Sequence, residues 1–396
     1  MNTSNNVWGH EDSLENRKQL TIWKYTVDIP VLWGGMGIGI TMAPLSGNIA
    51  LNGWIGTLSA TAIHKTPYYK DLLTHNLETA RKLAWGHLSE EQRDACFLET
   101  QVECIKKEVK RAKEIANGNG AIFINIMVAT SHYKEQVLAA CEAGVDGIVS
   151  GAWLPRNLLE ITKDYPDVAI IPILSTVKGV DVFLKLCEKT GRYPDAIVLE
   201  DPSTAWGHLG AASLEKVDDD SGKLEISIPA VRALLKSKNL NIPIIGAGGV
   251  VDKEDMDRVM ALWADGVQVG TRFLASVESG ANQEFKEAVV NATPDDIITY
   301  MSSAWLPARA LKASGTFPRI EDVVSKQRKC IELCLNHCWF VEWNPNLAQM
   351  CINKELVRST EWWRWDGLMF VWSSASRIKS ILTVKEIMDN FKWNEA

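Results

Sequence analysis

The chain has 396 residues and a formal net charge of −7, so it is long enough for one large domain and lacks the basic footprint that nucleic acid requires. No run reaches the apolar length that spans a bilayer, and the opening "MNTSNNVWGHEDSLENRKQ" has no apolar signal core, so a cytoplasmic, non-membrane protein is expected. Eight cysteines are too sparse for a disulfide scaffold, and a local group of them points to metal instead.

After a polar N-terminal segment (1–24), short β-rich runs recur, each followed by a helical pattern. They are "IPVLW" (29–33), "WIGTLS" (54–59), "AIFINIMV" (121–128), "DGIVS" (146–150), "VAIIPIL" (168–174), "DAIVLE" (195–200), "IPIIGA" (242–247) and "GVQVG" (266–270). Between them lie "HYKEQVLAACEAG", "KGVDVFLKLCEKTG", "IPAVRALLKSK" and "KEDMDRVMALWADG", several ending near glycine as helices prefer. Continuous apolar strands alternating with helices imply a covered parallel sheet, and eight units make a (β/α)8 TIM barrel over 25–312. Residues 60–118 form a helical insertion after strand 2, expected to cap the barrel mouth, and the mixed charges of "CIKKEVKRAKE" mark a solvated helix face. Residues 313–396 form a Cys-rich C-terminal extension.

Barrel active sites lie at the C-terminal strand ends, with phosphate between the loops after strands seven and eight. There "GAGGVVDKED" offers Gly248 and Gly249, and "GTRF" offers Gly270 and Thr271, whose amides and hydroxyl suit an anion. "GGMGIG" (34–39) has the wrong spacing for a dinucleotide fingerprint and no acidic residue about 20 positions on. In a barrel its glycines let the backbone pass close to a flat ring. His10, His64, His75, His87 and His132 lie in polar or helical contexts that suggest surface roles. His208 follows strand six in a glycine-containing loop beyond Glu200, and an imidazole titrating near 6.5 suits proton transfer there.

The tail "CIELCLNHCWFVEWNPNLAQMC" carries Cys330, Cys334, Cys338 and Cys351 at C-x3-C-x3-C-x12-C spacing. Four thiolates suit an iron–sulfur cluster or a structural zinc, and buried unliganded cysteines are the simpler alternative.

The set "PVLWGGMGIG", "INIMVA", "IVSGAWLP", "IVLEDPSTAWGHLG", "IPIIGAGGVVD", "GVQVGTRFL" and "WLPARAL" resembles the nitronate monooxygenase (2-nitropropane dioxygenase) superfamily of FMN-dependent barrels, which includes enoyl-acyl-carrier-protein reductase II. The tail is most similar to the branch that adds a 4Fe-4S cluster, an acyl-carrier-protein dehydrogenase/isomerase. The resemblance implies flavin contacts at Gly35, Met36, Asn125, Lys178 and Glu200, phosphate contacts at Gly248, Gly249, Gly270 and Thr271, catalysis by His208, and cluster ligands at the four cysteines. It further implies an oxidoreductase acting on an acyl thioester, small or carried by acyl-carrier protein, in a homodimer. An oxidation of alkyl nitronates by O2 is the alternative, and a non-catalytic flavin or iron–sulfur redox sensor is the alternative of another class.

One departure is systematic. Trp23, Trp54, Trp153, Trp206, Trp263, Trp305 and Trp372 stand where similar sequences have glycine, and the 16 tryptophans outnumber tyrosine and phenylalanine. An indole cannot be absorbed repeatedly in tight loops. The expectation is that these codons are UGA read as glycine, which predicts positive φ or crowded indoles at several of them. Trp33 fits that idea poorly, since relatives often have glutamine there.

Overall fold

The computed structural model describes residues 19–84, 86–205, 207–312, 334–338, 351–361 and 367–393. In chain order the strands are β1 (Leu20–Ile22), β2 (Tyr25–Val27), β3 (Val31–Trp33), β4 (Ile55–Ser59), β5 (Ala121–Met127), β6 (Gly147–Gly151) and β7 (Ala169–Leu174). They continue with β8 (Ile197–Glu200), β9 (Gly207–His208), β10 (Ile244–Ala247), β11 (Gly266–Val269), β12 (Ile297–Met301) and β13 (Pro307–Leu311). Strands β3 to β8, β10 and β11 form a closed parallel barrel, β11 returning to pair with β3. Each of the eight expected runs holds one barrel strand.

The strands alternate between two apolar environments. Leu32, Ile55, Phe123, Val149, Ile171, Val198 and Ile245 point into the barrel and form one cluster with Leu20, Ile22 and Val27. The β1–β2 hairpin, unforeseen in the sequence, therefore plugs the barrel interior from the end opposite the strand C-termini. Val31, Leu58, Ile124, Ile148, Ile170, Ile197 and Val267 point outward and join the helices in the larger core. Both faces are buried, which is why the strands read as unbroken apolar runs.

Helix α1 (Ala43–Leu51) joins β3 to β4, and the insertion after β4 divides into α2 (Lys70–Leu83) and α3 (Glu90–Ala116); α2 buries no residue, while α3 buries Cys104, Ile105, Val109 and Ala112. The expectation of a mouth cap is corrected for α3. It is the crossover helix from β4 to β5, packed along the barrel flank in the main core. Its charged face is laced by Lys106–Glu142, Lys107–Glu103 and Lys113–Asp146 ion pairs, as a solvated face should be. The described C-terminal residues form no core separate from the barrel. Val371, Trp372, Ile378, Val384, Ile387 and Phe391 belong to the barrel's outer core. Among the described residues no helix is long and apolar enough to cross a membrane.

Candidate active site

The strand C-termini open into a cavity of about 1050 Å³, part of it solvent. Gly35, Asn125, Glu200 and His208 all line it, so four of the residues expected at the site converge. Gly35 follows β3 where the chain turns inward, and a Cβ there would stand 2.5 Å from Asn125 Cβ and 2.8 Å from the Leu58 carbonyl oxygen. Close approach to neighbouring strands thus demands glycine at 35, in addition to any need for a flat ring nearby.

Glu200 ends β8, and burial, reinforced by the negative charge of Asp201, pushes its carboxyl up to about 8. It is therefore protonated at neutral pH and can donate a hydrogen bond. His208 is held by β9, which pairs antiparallel with β13 through Ala308 and Arg309. Its Nε2 lies 3.4 Å from Ser302 Oγ, and its ring packs edge-on to Phe370 with centroids 6.0 Å apart. Burial lowers its pKa to about 4. That corrects the expectation of an imidazole titrating near 6.5, because enclosure in an apolar mouth penalises the charged ring. At neutral pH His208 is a neutral acceptor and Glu200 a neutral donor.

Other expected residues fall elsewhere. Lys178, near the start of the helix Val177–Thr190, lines an adjoining cleft that also reaches Glu200 and His208. Met36 is fully buried beneath the cavity rather than lining it, its backbone bonded to Thr41 Oγ1 through both N–H and C=O. Gly248, Gly249, Gly270 and Thr271 sit side by side after β10 and β11, as expected, yet none borders the main cavity. The Trp372 indole packs on one of them: its ring atoms come within 2.6 Å of where a Gly270 Cβ would stand. The residues present therefore fit a flavin at its ring end and do not fit its phosphate at the other.

Cys334, Cys338 and Cys351 share a small apolar cluster with Leu335 and Ala129, while Cys330 lies outside the described residues, as does Trp206. No three His, Cys, Asp or Glu side chains form a metal-holding group among the described residues. His64 is a second correction. It is buried rather than superficial, both ring nitrogens lack a hydrogen-bond partner among the described residues, and burial lowers its pKa to about 3.

Sequence reasoning missed Gln268, Ser59 and the tail residues Ile352, Leu356 and Phe370, which with Ile38 and Ile40 wall the cavity. Gln268 was findable: it is the one polar residue in "GVQVG", a strand buried throughout. Its Oε1 is buried with no hydrogen-bond partner among the described residues, a cost that an incoming donor would remove. The apolar wall was not findable, since it comes from chain ends some 80 residues past the barrel.

The sequence model of the nitronate monooxygenase family matches residues 18–392. A probable nitronate monooxygenase of Staphylococcus saprophyticus is 25% identical over 288 residues, covering 72% of this chain and 76% of that protein. The Bacillus subtilis protein of the same description is 32% identical over a shorter stretch of 124 residues, 31% of this chain and 33% of that one. Among solved structures, FabK from Thermotoga maritima superposes with a TM-score of 0.62 at 22% identity, covering 91% of both chains. Nitroalkane oxidase from Streptomyces ansochromogenes gives 0.62 at 16% identity, covering 91% of this chain and 94% of that one.

Proposed function

Because the chain belongs to the nitronate monooxygenase family, we propose that it is an FMN-dependent oxidoreductase acting at a carbon beside an activating carbonyl, with an acyl thioester as substrate. The observation that carries this reading is the pairing of Glu200 and His208 on one cavity with opposite proton preferences. FMN supplies hydride and electron transfer when bound. His208, neutral at physiological pH, takes a proton from the carbon next to the activating group or returns one through its imidazole. Glu200, protonated, offers a hydrogen bond toward the reacting region and adds no negative charge. Asn125 and Gln268 carry the amides that would orient a flat polar ring, while Gly248, Gly249, Gly270 and Thr271 would receive the phosphate only with a small residue in place of the Trp372 indole.

The substrate class is supported by the wall. Ile38, Ile40, Leu335, Ile352, Leu356 and Phe370 wall the cavity with aliphatic and aromatic surface, which suits an acyl chain. A thioester on acyl-carrier protein or coenzyme would enter from the open side. The nitronate reading is favoured by the descriptions of the curated relatives. A 4Fe-4S cluster on Cys330, Cys334, Cys338 and Cys351 has the shared apolar patch of three of these cysteines in its favour, and no step above depends on it. An iron and labile-sulfide assay on anaerobically purified protein decides that point.

The test is turnover by FMN-loaded protein in two arms. Reduction of an enoyl thioester by added NAD(P)H, or its redox-neutral isomerisation, without O2, is expected. Oxidation of alkyl nitronates by O2 with no thioester turnover would replace the acyl reading, and bound FMN with neither activity would favour a redox sensor.

A further inference from the structure

Nine non-glycine residues among those described have positive φ, and four of them are tryptophans: Trp23 (56°), Trp153 (103°), Trp263 (75°) and Trp305 (59°). Tryptophan makes up 16 of 396 residues, and a bulky residue in this region is an outlier that normally gives way to glycine. Each sits in a turn with its own reason for wanting glycine. Trp23 is the first residue of the two-residue loop joining β1 to β2, a place where hairpins take glycine when only that residue turns left-handed. Trp263 follows the helix Lys253–Met260 and donates its N–H to the Met260 carbonyl at 3.1 Å, the position of a left-handed helix cap. Trp305 closes a turn onto the Ser302 carbonyl, and Trp153 follows Ala152, itself at 52°. All four indoles are substantially exposed, so burial does not compensate.

Trp372 is the same anomaly expressed in volume. Its backbone is ordinary, with φ of −78°, but its indole is fully buried and its Nε1, like that of Trp33, has no hydrogen-bond partner among the described residues. It lies against Gly270. Its N–H donates to Thr271 Oγ1 at 3.0 Å, and the N–H of Ser373 donates to the Thr204 carbonyl at 3.3 Å. Thr204 in turn abuts Gly248 and Gly249. The backbone at 372 and 373 is therefore bonded to the loop after β11 and to Thr204, which abuts the loop after β10, and the side chain at 372 packs on Gly270. Trp33 and Trp54 supply the contrast. Neither has positive φ, and both pack edge-to-face on Phe273, Trp54 on Phe391 as well.

We propose that glycine is the working residue at 23, 153, 263, 305 and 372, and that the Trp372 indole occupies the volume in which the phosphate of FMN would lie. The second half rests on the FMN reading above. Glycine at 372 leaves the backbone bonds to Thr271 and Thr204 in place and clears a space bordered by Gly270 and Thr271. One reassigned codon accounts for all five positions. The expectation that Trp54 belongs with them is not supported by its packing.

Two measurements decide this. Peptide mass mapping of the protein from its native cells should read glycine at the five positions and tryptophan at 33; tryptophan at 153 and 372 would overturn the proposal. Separately, FMN and riboflavin are titrated into the chain as written, into Trp372→Gly, and into Trp372→Ala in case the first variant folds poorly. The chain as written should bind the two flavins alike. The variants should prefer FMN by roughly tenfold or more, the worth of one charge-assisted hydrogen bond. A strong FMN preference with the indole in place would sink the steric claim and leave the FMN reading standing. No flavin binding by any chain would remove the FMN reading, and the phosphate claim with it.

Discussion

The two ends of the barrel mouth were built from the same kind of sequence and came out differently. After β3, β5 and β8, Gly35, Asn125 and Glu200 border an open cavity with His208 above it. After β10 and β11, Gly248 and Gly249 abut Thr204, and Gly270 lies against the buried Trp372 indole. The loops do not differ in kind. What differs is the element laid over them: β9 and the apolar residues of the tail leave room at one end, and residue 372 of the same tail fills the other. A glycine loop creates a site only if the segment that covers it is small too.

Four perturbations sharpen that contrast. At the open end, His208→Ala in FMN-loaded protein should lower turnover by about 10²- to 10⁴-fold while leaving FMN affinity nearly unchanged. Equal turnover would remove His208 from proton transfer. Among the other tryptophans, Trp33→Gly should cost about 3–5 kcal/mol in urea unfolding, because it deletes a buried ring packed on Phe273 at 4.8 Å. Trp153→Gly should do the reverse, stabilising by about 1–2 kcal/mol as left-handed strain is relieved. Loss of stability there would mean that the indole is a native contact.

The fourth effect is a change of profile. Glu200 has a folded-state pKa of about 8, above its ordinary 4.5. The native state thus holds a proton that the unfolded chain releases, and the stability this contributes is present below about pH 4.5 and lost as pH rises through 8. Glu200→Gln should flatten that slope, read as melting temperature across pH 5 to 9. An unchanged slope would show that the carboxyl is ionised in the native protein. His208, depressed to about 4, should keep its neutral form throughout that range.

Much of this was written in the sequence. Strands buried on both faces have to be apolar from end to end, so "AIFINIMV" and "VAIIPIL" announced themselves, and their count gave the barrel. Glu200 and His208 were legible because a barrel's strand ends point to its mouth. The β1–β2 hairpin was not, since three-residue strands leave too short an alternation, and Trp23 stood where glycine would have signalled the turn. The role of α3 was misjudged because a charged outer face hides the buried stripe of Cys104, Ile105, Val109 and Ala112.

The sequence by itself determined the barrel, the strand-end residues and the excess of tryptophan, because each follows from local pattern and fixed topology. Only the tertiary structure decided the protonation of Glu200 and His208, the apolar wall from Ile352 to Phe370, and the obstruction at Trp372. Those depend on how far water is excluded and on which distant segment packs over a loop, and neither burial nor contact across 100 residues is a property of any local stretch of chain.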